Sequence, residues 1–143
     1  MKCFWTLLMV LFFVGSVAQG QEPPMPDPGP GGATAPAECQ WILDQLDQLD
    51  HIDIPAQEEV VRLAQEAMDQ AEDHRNNRLQ MLINAEQEGA NELYVEFCRD
   101  ALRKAETELA IAEALYQLAM QWLQILQMMS WMLHTLFECS CMG

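Results

Sequence analysis

The chain has 143 residues, 22 Asp and Glu against seven Lys and Arg, and a formal net charge of −15 at pH 7. This length suits one domain of ordinary size. The strong negative charge disfavours nucleic acid and anionic lipid surfaces, since both repel it, and favours cations, basic partners or mineral surfaces.

The first 20 residues have the pattern of a secretory signal peptide. Lys2 supplies a positive n-region, residues 4–14 form an apolar h-region, and residues 15–20 form a small-residue cleavage region, in which cleavage after Ala18 or after Gly20 fits. The apolar stretch is too short to span a bilayer stably. We therefore expect a secreted, extracellular protein, whose mature chain has lost Lys2 and carries a net charge of −16.

Residues 21–38 are predicted to form a disordered Pro/Gly-rich arm. Six of its residues are proline and three are glycine, which removes backbone donors and adds chain entropy. No apolar cluster compensates, so the composition predicts a polyproline-like spacer. A ligand for a proline-reading domain is the alternative.

Residues 39–143 are predicted to form a disulfide-linked, all-α domain. Pro55 is the only proline in this range, Gly89 and Gly143 are its only glycines, and strong helix formers dominate. Many positions of the apolar pattern are Ala, which lets helices approach closely. We expect a small antiparallel bundle of three or four helices.

The first predicted helix, residues 41–53, carries Asp at every third position. Asp53 is predicted to cap the next helix, with Pro55 in its first turn. The four carboxylates are the best candidates for weak divalent-cation or mineral contact, although acids that step around a helix do not converge as calcium requires. A solvated face is the alternative for these residues: Asp44, Asp47, Asp50 and Asp53.

The second helix is predicted from Pro55 to about Gln87, and Gly89 marks the turn that follows it. Its apolar stripe fails at residues 73–78, which indicates either an exposed patch on a continuous helix or a break. From Ala90 to Phe137 apolar residues recur at steps of three or four, which is typical of a packed amphipathic helix or a coiled coil.

Residues 114–137 contain no Asp, Glu, Lys or Arg. A helix that is apolar over more than half of its circumference is normally buried, so we predict a central bundle helix. Contact with a partner, an oligomer or lipid is the first alternative. A membrane span is the second, and it is disfavoured by the absence of a basic anchor and by four glutamines on one face: Gln117, Gln121, Gln124 and Gln127.

Four cysteines lie outside the signal peptide, and an even count in a secreted chain predicts disulfides. On one straight helix Cys98 and Cys139 would lie about 61 Å apart, whereas a disulfide needs Cα atoms within roughly 7 Å. We therefore expect a break within residues 104–131, with Cys39 and Cys98 each bonded to one of the terminal cysteines, Cys139 and Cys141. In the rival arrangement Cys39 bonds Cys98 and the terminal pair links chains.

Standard catalytic and metal-binding motifs are missing from the sequence. His134, Cys139 and Cys141 match no standard zinc spacing. Residues 72–74 (Glu-Asp-His) could form an acid–base group, but a helix surface of mixed charge looks the same. We expect no enzyme activity, no cofactor and no metal site.

The sequence as a whole predicts a secreted, acidic, non-enzymatic structural or interaction protein, of the kind found in extracellular or mineral matrices. It would bind itself or an extracellular protein partner through an apolar contact surface on its C-terminal helix. The alternative is a soluble extracellular carrier whose Met-, Leu- and Trp-rich interior holds a small apolar ligand. The residues of the predicted contact surface are Trp122, Leu126, Met129, Leu133 and Phe137.

Overall fold

The computed structural model describes residues 37–142, which form an all-α structure, and no β-strand occurs among them. The α-helices are α1 (Ala37–Gln48), α2 (Ile54–Gln87) and α3 (Glu92–Phe137), and π-helical turns occupy Leu49–Asp53 and Glu138–Met142. The predicted signal peptide and nearly all of the predicted arm lie outside the described residues.

The all-α class is confirmed, but the bundle of three or four helices is wrong. Residues 37–87 form one uninterrupted helical run and residues 92–142 form another, so the described residues make two long helices. The chain folds back at residues 88–91 because only there does a glycine interrupt the strong helix formers.

A π-helical turn carries the first run past Pro55, where we expected one helix to end and another to begin. The N–H of Ile54 donates to the carbonyl of Leu49, five residues earlier, and Gln48 and Ile54 are both right-handed helical. The predicted cap at Asp53 is therefore wrong. Its carboxylate accepts instead from the side-chain amide of Gln48 at 3.2 Å.

The turn between α2 and α3 is closed by backbone hydrogen bonds at its start and by a side-chain cap at its end. Gly89 has φ +66°. The N–H of Ala90 donates to the carbonyl of Ala85 at 3.0 Å, and the N–H of Gly89 donates to the carbonyl of Glu86 at 3.4 Å. This pair of bonds is a Schellman motif. Asn91 then caps α3, because its Oδ1 accepts from the N–H of Tyr94 at 2.9 Å.

Two compact units share these helices, and the described part of unit 1 comprises residues 37–56 and 124–142. Four buried side chains form its core: Ile42, Leu46, Leu49 and Leu133. Around them pack five half-buried residues: Leu126, Met129, Leu136, Phe137 and Cys141. A disulfide between Cys39 and Cys141 joins α1 to the segment after α3.

Unit 2 comprises residues 57–123, in which α2 and α3 run antiparallel. A hydrogen-bond contact between His74 and Glu108 and an ion pair between Arg99 and Glu86 join the two helices. The buried side chains of this unit are all small: Ala85, Cys98, Ala105 and Ala119. Alanines thus fill most of the buried positions of this unit, and its larger apolar side chains are incompletely covered.

Candidate functional site

The apolar segment of residues 114–137 is not a buried central helix. Leu115, Leu118 and Trp122 are 57%, 63% and 52% exposed, and Met128 and Trp131 are 55% and 64% exposed. The prediction fails because no further helix covers the other side of α3: α1 and α2, which belong to one helical run, are the other α-helices of the described residues. Across residues 37–142, no helix is long and apolar enough to cross a membrane.

Unit 2 contains an open apolar groove between α2 and α3, here called the unit 2 groove, with a volume of about 630 Å³. A smaller hollow of about 250 Å³ shares Ala64 and Leu115 with it, so the two are adjacent, and the name covers both. The larger side chains that line it are Val60 and Leu63 on α2 and Ile111, Leu115, Leu118 and Trp122 on α3.

Helical spacing explains why these residues share one surface. Ile111, Leu115, Leu118 and Trp122 follow one another at steps of four, three and four, which places them on one face of α3. Between the helices, the side-chain amide of Gln57 donates to the carbonyl of Ala119 at 2.9 Å. This bond ties the start of α2 to the floor of the unit 2 groove.

The flank of the unit 2 groove on α2 is acidic, and its one cation is already paired. Arg62 donates to Glu59 and to Glu66. The hydrogen bond that Arg62 donates to Glu59, followed by the charges of both carboxylates, raises the pKa of Arg62, and the same bond is the main cause that lowers the pKa of Glu59. The guanidinium therefore stays charged, and two carboxylates surround it.

His74 lies beside the smaller hollow, because it contacts Glu108, which lines that hollow. Its Nδ1 lies 3.3 Å from Oε2 of Glu108, and Nε of Arg78 donates to its Nε2 at 3.2 Å. The sequence suggested Glu72 and Asp73 as partners for this histidine. The structure instead joins it to α3, so the observed contacts hold two helices together.

Unit 1 contains a polar cluster centred on Asp50. The Ser130 hydroxyl donates to Oδ1, and Nε2 of His134 lies 3.0 Å from Oδ2. The hydrogen bond from Ser130 is the main cause that lowers the pKa of Asp50, against the opposing effect of desolvation, and His134 contributes further lowering. Sequence reasoning missed this cluster because Ser130 and His134 are 80 and 84 residues from Asp50.

The Asp50 cluster differs from a catalytic triad in its order of contacts. In a triad the histidine lies between serine and carboxylate and takes the serine proton. Here the carboxylate lies between Ser130 and His134, and the serine donates to Asp50 directly. The arrangement suits fixing the π-helical turn against α3.

The four aspartates at every third position of residues 44–53 each have their own side-chain partner. Asp44 accepts from Gln40 at 2.9 Å, and Asp47 lies 2.9 Å from His51. Asp50 and Asp53 have the partners described above. Over the part of the chain that the structure describes, no group of three or more His, Cys, Asp or Glu residues is placed to hold a metal ion.

The predicted break within residues 104–131 is wrong, because α3 is continuous across this range. One half of the favoured disulfide pairing exists, Cys39–Cys141. The other half is wrong for Cys98, which is a free thiol and 1% exposed. The rival Cys39–Cys98 bond is wrong too. Cys139 is also disulfide-bonded and is not a free thiol.

The predicted apolar contact surface divides between the two units. Leu126, Met129, Leu133 and Phe137 pack in the core of unit 1, whereas Trp122 lines the unit 2 groove. Sequence reasoning missed Val60 and Leu63 as surface residues, although they are next in sequence to Val61 and Ala64, which belong to the apolar stripe predicted for the second helix. The signal that could have indicated an exposed apolar surface was this second row of apolar residues, which lies beside the first row on the same helix.

The chain matches no protein-family model, no curated protein sequence and no solved structure.

Proposed function

We propose that this chain is a secreted, acidic, non-enzymatic interaction protein that associates through the apolar face of α3. The unit 2 groove is the observation that carries the proposal, because Leu115, Leu118 and Trp122 are each more than half exposed there beside Val60 and Leu63. Five such side chains leave on the order of 500 Å² of apolar surface in water, and patches of that size mark interaction sites.

Secretion is supported by the signal-peptide pattern of residues 1–20 and by the disulfide between Cys39 and Cys141. In an extracellular or mineral matrix, the net negative charge would keep the free chain soluble. Exposed carboxylates such as Asp44 and Asp47 would add diffuse contact with cations.

Intact-mass analysis of the secreted chain tests the cleavage of the signal peptide, and it should place the first residue of the mature chain at Gln19 or Gln21.

A photo-crosslinking residue at position 118 tests the association. Residue 118 lies on the groove face, and Gln117 is an exposed neighbour on a different face of α3. In the fluid into which the chain is secreted, the probe at 118 should give one discrete adduct and the probe at 117 little or none. Equal adducts from both positions, or none from 118, would overturn the proposal.

The carrier function is a second candidate, favoured by the groove volume of about 630 Å³, which falls within the usual range of small-ligand sites. A ligand there would have one side open to water. Organic extraction of the purified secreted chain should then yield one apolar molecule per chain, and Leu118→Glu should abolish its recovery. An empty extract would rule the carrier out.

A further inference from the structure

We infer that the unit 2 groove binds a cationic amphipathic helix of another extracellular protein, packed as a third helix against α2 and α3. This inference rests on the proposed function, because it names the partner of the same apolar face.

The dimensions of the groove suit a helix. Its lining on α3 extends from Ile111 to Trp122, which is about 17 Å or three helical turns. Its floor contains the small side chains of Ala64, Ala67, Ala112 and Ala119. An incoming helix with apolar residues at i, i+3, i+4 and i+7 would fit between the larger side chains, as amphipathic helices fit other grooves.

Charge selects the class of partner. Glu108 lines the smaller hollow, and Glu59 and Glu66 lie on α2 next in sequence to lining residues. Arg62 is the one cation of the groove segments, residues 57–67 and 108–122. Glu59 and Glu66 already surround that cation, yet each side chain is 55% exposed and a carboxylate can accept further hydrogen bonds. Lysines or arginines beside the apolar stripe of a partner helix would therefore meet unneutralised acceptors at the rim.

A second copy of this chain fits the same rim less well. It would bring the same acidic flank and the same net charge, −16 for the mature chain, and like charges facing each other across an interface act against association. Charge complementarity thus favours a basic helix over self-association.

Two synthetic peptides of about five helical turns test the inference on the full secreted chain. Both carry the same Leu/Ala stripe, and their polar faces carry either Lys or Glu. By isothermal titration calorimetry at low salt, the Lys peptide should bind about tenfold more tightly. At 0.5 M salt the difference should narrow to about twofold, because salt screens rim charges.

Matched variants locate the effect. Glu59→Gln/Glu66→Gln should weaken binding of the Lys peptide about fivefold. The control variant Glu88→Gln/Glu92→Gln makes the same change in net charge at the turn, away from the groove residues. It should change the affinity for the Lys peptide less than twofold. Leu118→Glu should weaken both peptides more than about tenfold, with helical circular dichroism unchanged because Leu118 is exposed.

The outcomes separate the inference from the proposed function. If both peptides bind equally and Leu118→Glu weakens both, the cationic partner is wrong and the association surface stands. If neither peptide binds and the chain forms a dimer that Leu118→Glu dissociates, the occupant is a second copy of this chain. The cationic partner is then wrong, and the association surface stands. If neither peptide binds and no dimer responds to Leu118→Glu, the inference and the association surface both fall.

Discussion

Replacement of Leu46 by Ala should destabilise unit 1 far more than replacement of Leu43, one turn away on the same helix. Leu46 is 5% exposed and packs with Ile42, Leu49 and Leu133, whereas Leu43 is 39% exposed and lies outside that core. Truncation of a buried Leu loses transfer free energy and leaves a cavity, which together cost about 2–5 kcal/mol. At Leu43 no closed cavity forms, and the lost burial is worth about 1 kcal/mol.

Urea unfolding of the oxidised chain, followed by far-ultraviolet circular dichroism, measures both free energies of unfolding. Because both changes are Leu→Ala within α1, helix propensity affects them equally and cancels in the comparison. We expect Leu46→Ala to cost at least about 1 kcal/mol more than Leu43→Ala. Equal costs, or a larger cost at Leu43, would refute the core of unit 1 described here.

Three further predictions concern the disulfide, the turn and the Asp50 cluster. Cys141→Ser opens a bridge between residues 102 apart in sequence and should lower the free energy of unfolding by about 2–5 kcal/mol in urea; no loss would contradict the bond to Cys39. Gly89→Ala should cost about 1 kcal/mol in thermal unfolding, since φ is +66° there, and Gly89→Asn should cost less. The pKa of Asp50 lies below its ordinary 3.8, so its carboxylate stabilises the fold above that pH and loses this effect as pH falls through the lowered pKa. The stability advantage of wild type over Asp50→Asn should therefore shrink in acid, and an advantage independent of pH would contradict the cluster.

The secondary structure follows largely from local sequence. The scarcity of proline and glycine predicts helix throughout, and Gly89 predicts the turn, whose Schellman bonds need the positive φ. Pro55 misled the sequence reading because a proline in a first turn usually marks a new helix. The π-helical turn, with its i→i−5 bond from Ile54 to Leu49, allows the helix to continue, and nothing in the local sequence indicates it.

Burial could not be predicted in the same way, because it depends on how many helices surround each face. The pattern of residues 114–137 reads as a central helix, yet only Met132, Leu133, Ser130 and Ala119 are fully buried within it. Contacts between residues that are distant in sequence could not be predicted from local sequence either. Cys39 meets Cys141 across 102 residues, and this pairing requires no break in α3 because α1 packs against the end of α3 within unit 1.

Hydroxyl-radical footprinting of Leu118 and Trp122 tests the exposed association surface most directly. In dilute purified chain both should be labelled strongly, and in the undiluted secretory fluid their labelling should fall severalfold. Leu133, buried in the core of unit 1, should stay weakly labelled in both. Labelling of Leu118 and Trp122 that is equal in the two conditions, or weak already in the purified chain, would contradict a surface that is open in the free protein and covered by a partner.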